Sequence, residues 1–152
     1  MSAAATAKGA QARADGGVRP AEFRAALDRT LETVAADEKL GPLLAATKMR
    51  MRFQFPDLDL VLDLAAVDGA GRLSWSFGGG EDWQPKLELE MDSAVANRYL
   101  QGRESLAIAI AHGQARFRGG SRAALVYLPA TRLLCEPYRK VVQSTYPDLV
   151  AA

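Results

Sequence analysis

The chain has 152 residues, one histidine, one cysteine and a formal net charge of +1. That length makes one domain, which buries about 70% of the surface its unfolded chain exposes. Balanced charge gives no overall bias towards nucleic acid, a lone cysteine excludes an internal disulfide and suits a cytoplasmic protein, and no run of about 18 apolar residues is present to span a membrane.

Residues 1–19, MSAAATAKGAQARADGGVR, are small and polar without an apolar block of signal-peptide length, and they read as a disordered tail. Pro20 suits a first helical turn. Phe23, Leu27, Leu31 and Val34 then recur at helical spacing, which predicts an amphipathic helix over residues 20–37. Gly41-Pro42 is expected to break it, and PLLAAT adds a further turn or two.

The period then switches to two. Met49, Met51, Phe53 and Phe55 alternate with Arg50, Arg52 and Gln54; Leu58, Leu60, Leu62 and Leu64 lie opposite Asp59 and Asp63. Leu73, Trp75 and Phe77 oppose Ser74 and Ser76, and Leu87, Leu89 and Met91 oppose Lys86, Glu88 and Glu90. These segments read as strands that are apolar on one side and wet on the other. Pro56-Asp57, Asp68-Gly69 and Gly78-Gly79-Gly80 mark turns between them, and such short links predict consecutive antiparallel pairing. Arginines on one strand then lie near aspartates on the next, as exposed pairs worth well under about 1 kcal/mol each.

Asp92 or Ser93 can cap a helix over SAVANRYLQ, and Gly102 stops it. ESLAIAIAH is ambiguous, because Leu106, Ile108 and Ile110 alternate while its alanines favour helix. Gly113 ends that stretch, and QARFR reads as a fifth strand with Ala115 and Phe117 inward. The remainder is helical in character and is divided by Pro129 and Pro137. One domain over residues 20–146 results, followed by a short tail over 147–152. Its class is α+β: a five-stranded, mainly antiparallel sheet with one face covered by helices.

Residues for chemistry are scarce. His112 precedes a helix-ending glycine, where the helix dipole favours it without a catalytic role. Cys135 is most simply a small buried apolar residue; as a reactive thiol it would need an electropositive niche, for which Arg132 or Arg139 are the candidates. No cysteine and histidine spacing suits zinc. GGGEDWQP lacks the lysine and the following helix of a phosphate loop and reads as a hairpin loop, with Glu81 and Asp82 as adjacent solvated carboxylates. Arg50, Arg52, Arg116 and Arg118 share a sheet face with Asp59, Asp63, Glu88 and Glu90, which neutralise them, so nucleic acid is not an expected partner.

YLQGRESLAIAIAHGQARFRGG, residues 99–120, completes a pattern that resembles the type-2 sterol carrier proteins, or nonspecific lipid-transfer proteins. The similar features are a helix closed by Gly102-Arg103, the apolar LAIAIAH, Gly113 opening the last strand and Gly119 closing it, in the order helix, strands, helices. The resemblance covers residues 21–142, nearly all of the expected domain. Gln114 stands where the family often has lysine, and the C-terminal helices are longer and lack a peroxisomal ending. The resemblance implies an apolar cavity between sheet and helices that shelters a sterol, a fatty acyl chain or a similar lipid. It implies no cofactor, no metal and no catalytic group. Strand parity, with the flanking helices, assigns the lining to Met51, Phe53, Phe55, Leu62, Leu73, Trp75, Phe77, Leu87, Leu89, Tyr99, Leu106, Ile110, Phe117 and Leu125. The expected partners are the lipid, a membrane touched transiently and, in a second reading, an enzyme to which the domain presents a steroid- or quinone-like substrate. A third reading, less favoured, is an enzyme using Tyr99, Glu104, His112 or Tyr127 as acid or base.

Overall fold

The computed structural model describes residues 18–67, 71–80 and 83–151. Most of the expected N-terminal tail, the Asp68-Gly69 turn and the Glu81 and Asp82 carboxylates lie outside them. In chain order the elements are α1 (Pro20–Ala36), α2 (Leu40–Ala45), β1 (Arg50–Phe55), β2 (Leu60–Val67), β3 (Arg72–Phe77), β4 (Leu87–Met91), α3 (Ser93–Leu100), α4 (Leu106–Ala111), β5 (Ala115–Gly119), α5 (Ser121–Ala130) and α6 (Cys135–Thr145). The class is α+β, as expected: one sheet, with helices on its apolar face.

The sheet order is β3-β2-β1-β4-β5. All pairings are antiparallel except β1 with β4, which is parallel. The expectation of consecutive pairing therefore fails at β3 and β4, and the charges explain why. On the outer face Asp63, Arg52, Glu88 and Arg118 stand opposite one another across β2, β1, β4 and β5. Arg52 sits between two carboxylates, 2.7 Å from Asp63 and 3.8 Å from Glu88. A β3–β4 hairpin would set Glu88 and Glu90 beside serines and leave Arg52 with one carboxylate fewer. Opposite charges across strands stabilise a pairing that local links alone do not dictate.

GGGEDWQP is consequently a crossover and not a hairpin loop. Its described residues lie against the outer face, where Gly80 O accepts from Arg52 Nη2 and Gln84 O from Arg50 Nε. The ring of Trp83 lies 4.9 Å from the Arg50 guanidinium and 5.4 Å from that of Arg52. Asp63, expected on a wet face, is only 4% exposed beneath this cover. Two hydrogen bonds from Arg52, of 2.7 and 3.1 Å, satisfy both its oxygens.

On the inner face, parity is as the sequence implies. Phe77, Leu62, Phe53, Leu89 and Phe117 form one row across all five strands, and Trp75, Leu64, Met51 and Leu87 form the next. Burial is nearly complete at the centre and fades at the β5 edge, where Phe117 is 43% exposed. α1 and α6 cover the centre: Phe23 meets Phe55 edge-on at 5.0 Å and Tyr138 at 6.4 Å. Leu58 and Asp59 lie in a 3-10 turn and its left-handed cap, outside β2.

Several helix ends differ from expectation. The break after α1 falls at Asp37, whose Oδ1 accepts from the amides of Lys39 and Leu40 and starts α2. Gly41 lies inside α2, so close to α1 that a Cβ there would sit 3.0 Å from Val34 O. Neither Asp92 nor Ser93 caps α3 with its own side chain; Asp57 does so from the 3-10 turn, accepting from the Ser93 amide and hydroxyl at 2.8 and 2.6 Å. The ambiguous LAIAIA is helical, capped by Ser105 at the Ile108 amide. Pro147–Leu149 form a 3-10 turn in which Leu149 is 2% exposed and its carbonyl accepts from Asn97 and Gln101.

Replacing Arg52 by leucine strands a buried carboxylate at Asp63. Arg52→Leu is expected to lower unfolding stability by about 3 kcal/mol, whereas Arg118→Ala, at the exposed end of the same row, changes it by less than about 0.5 kcal/mol. Urea denaturation of both variants checks this, and equal losses would contradict the burial argument.

Candidate functional site

Beyond the sheet, where α3, α4, α5 and α6 converge, the surface opens into a cleft of about 780 Å³. Gly102, with φ of +77°, turns the chain sharply out of α3 and lets residues 102–105 form one wall. α4 supplies Leu106, Ala107 and Ile110; α5 and the 3-10 turn after it supply Leu128, Pro129 and Arg132; Tyr99 and Cys135 complete the lining. The floor is apolar, with Tyr99 and Leu106 buried and Ile110, Leu128 and Cys135 half-buried. Arg103 and Arg132 are exposed at the rim. Glu104, also in the wall, is held by Arg98 at 3.2 Å. Among the described residues neither rim arginine has an ion-pair partner.

The polar atoms of the floor are engaged. Thr131 donates to Leu128 O at 2.6 Å, so the Tyr99 hydroxyl, 2.6 Å from Thr131 Oγ1, is the donor of that pair. Burial pushes the Tyr99 hydroxyl up from its ordinary value. Burial likewise pushes the Cys135 thiol up, outweighing the opposing pull of Arg132. Its sulfur contacts Tyr99 O at 3.6 Å. A thiol so placed stays protonated at neutral pH, unlike a nucleophilic cysteine. Of the other candidate acids and bases, Glu104 is in the cleft wall, while Tyr127 and His112 are not in its lining. Tyr127 is buried elsewhere and donates to Lys48 O, while His112 is exposed at the end of α4. Among the described residues no group of three His, Cys, Asp or Glu side chains could hold a metal, and no helix is long and apolar enough to cross a membrane.

Of the lining residues assigned from sequence, Tyr99, Leu106 and Ile110 meet at this cleft. Met51, Phe53, Phe55, Leu62, Leu73, Leu87 and Leu89 are buried in the core beneath the helices, away from it. Trp75 donates its indole N–H to Asp28 of α1 at 2.8 Å. Phe77 lies under the Arg24 guanidinium at 4.8 Å, in a second cleft of about 450 Å³ beside α1. Phe117, on the inner face at the β5 edge, is 43% exposed, and Leu125 faces outward, 77% exposed. α5 turns Ala124 and Tyr127 inward, which puts Leu125 on its far side. Sequence reasoning did not assign Leu128, Arg132 and Cys135 to a lining, although their i, i+4, i+7 spacing marks one helical face.

The fold is that of the sterol carrier protein 2 domains. A crystal structure of sterol carrier protein 2 superposes with a TM-score of 0.56 at 17% identity, over 76% of this chain and 95% of that one. The sterol carrier protein domain 2 of Helicoverpa armigera gives 0.56 at 15%, over 72% and 85%. A ubiquinone synthesis protein, UbiJ, gives 0.54 at 12%, over 76% and 96%. The chain also matches part of a stereoselective inverting sec-alkylsulfatase from a Pseudomonas species, spanning 14% of that enzyme's length with a TM-score of 0.49. No family model matches the sequence, and no curated protein matches it significantly.

Alkylation of Cys135 by iodoacetamide is expected to be slower in the folded protein than in urea, with its pH midpoint shifted upward, because burial favours the neutral thiol. A midpoint below that of the unfolded chain would reveal an activated thiolate.

Proposed function

We propose that this domain binds a small apolar molecule, such as a sterol or a fatty acyl chain, in the cleft between α4 and α5 and carries it through the cytoplasm. The observation that carries this reading is the cleft itself: about 780 Å³ of space over an apolar floor, with no activated group in it. That volume lies within the range of small-molecule sites. Burial of apolar surface at about 25 cal/mol per Å² supplies the affinity. A floor without polar recognition discriminates weakly between guests that differ by a methylene. The rim arginines, Arg103 and Arg132, favour a guest with a polar or anionic end turned outward. The fold shared with sterol carrier protein 2 domains supports the same reading.

A second reading is that the bound molecule is presented to a partner enzyme. The observation in its favour is the similar fold of a ubiquinone synthesis protein.

Native mass spectrometry after incubation with mixed sterols, fatty acids and quinones tests the first reading. The wild-type chain is expected to retain a guest. Ile110→Asn, which puts an amide into the floor, is expected to weaken retention about tenfold, the worth of one buried aliphatic side chain. Retention of nothing by the wild type would overturn the proposal, and co-purification of one specific enzyme would favour the second reading.

A further inference from the structure

The two helices that flank the cleft have faces that globular packing does not explain. α4, LAIAIA, contains no polar residue, yet it buries only Leu106 and Ala109. Ala107, Ile108 and Ala111 face solvent, with Ile108 53% exposed. α5 repeats the feature. It turns Ala124 and Tyr127 inward and presents Leu125, Val126 and Pro129 outward, with Leu125 77% and Val126 44% exposed. A surface helix ordinarily sets polar residues against solvent, and clustered exposed aliphatic side chains mark a surface that meets something apolar.

Charge says what that something is. Neither helix carries an acidic residue, and Arg103, Arg122 and Arg132 stand at their ends, all exposed and none in an ion pair among the described residues. The nearby acid Glu104 is occupied by Arg98. Aliphatic knobs framed by arginines complement a bilayer whose headgroups are anionic: the knobs enter the acyl boundary and the guanidinium groups meet phosphates. A second copy of the chain fits less well. An isologous contact through this face would bring the same arginines towards each other about a two-fold axis.

We propose that the outer faces of α4 and α5 form a docking surface for an anionic membrane, centred on the mouth of the cleft. Leu125, Leu128, Pro129 and Arg132 follow one another at i, i+3, i+4 and i+7, so one side of α5 and its 3-10 extension runs from the exposed patch into the cleft. A guest would then pass between bilayer and cleft without crossing water. The docking surface is a separate property from guest retention, and the two are measured separately.

Sedimentation with sucrose-loaded vesicles of phosphatidylcholine, with and without phosphatidylserine, tests the proposal on the full chain. The wild type is expected to sediment with phosphatidylserine vesicles, more weakly as salt rises, and to stay in solution with phosphatidylcholine alone. Ile108→Gln with Leu125→Gln is expected to lower the partition coefficient about tenfold, and Arg122→Gln to flatten the salt dependence. Both changes are at exposed positions outside the cleft lining, so the melting temperature and the guest retained in native mass spectrometry should hold. Failure of the wild type to sediment with either vesicle, or unchanged partition of the double variant, would overturn the proposal. So would a wild-type dimer in light scattering that the double variant abolishes without loss of vesicle binding, because the face would then be an interface between copies.

Discussion

Parallel pairing of β1 with β4 sets the arrangement of everything else, and it is held by a row of alternating charges. Asp63, Arg52, Glu88 and Arg118 succeed one another across four strands of the outer face. The parallel pair obliges the chain to travel from the β3 edge past β2 and β1 to β4, and described residues of that link cover the Arg52–Asp63 pair. A pair expected to be exposed is thereby removed from water, where breaking it costs far more than it would at a surface. With one face roofed by its own crossover, the sheet has the other free for helices.

Those helices fill the space above the centre of the sheet. Phe23, Phe55 and Tyr138 interlock there, and the inward methionines and leucines pack beneath them. The open volume lies to one side, where the short α4 and the proline-ended α5 meet α3. Small side chains and helix ends leave room there that aromatic side chains occupy elsewhere. The cleft is therefore bounded by helices and by the loop of residues 102–105, and no strand residue takes part in its lining.

Much of this was legible in the sequence. Alternation placed every inward strand residue on the correct face, because a period of two tolerates no ambiguity once one face is apolar. Gly102 and Gly113, with φ of +77° and +74°, bracket α4 as read. What escaped was long-range. Strand order depends on which charges meet across strands, and Gly78–Gly80 alone reads equally well as a hairpin. The cap of α3 comes from Asp57, far away in sequence, while Asp92 stood in the expected place. Site residues followed the same division. Tyr99, at the end of α3, and Leu106 and Ile110 of α4 lie at the candidate cleft, on either side of Gly102. Seven strand residues assigned to the lining are buried in the core cluster, and periodicity reports which side chains face inward without saying whether the space above them is filled.

The docked end of the chain ties two distant regions together. Asn97 and Gln101 hold the Leu149 carbonyl, Gln101 also accepts from the Ala151 amide, and Tyr138 donates to Asn97. Tyr99 lies on the same α3 helix and forms part of the cleft floor. α3 thus works as a spar, moored at one flank by the last residues and shaping a recess with the other. A load applied to the chain beyond Ala151 would tug on that mooring, and its strain would be felt across the helix at the recess.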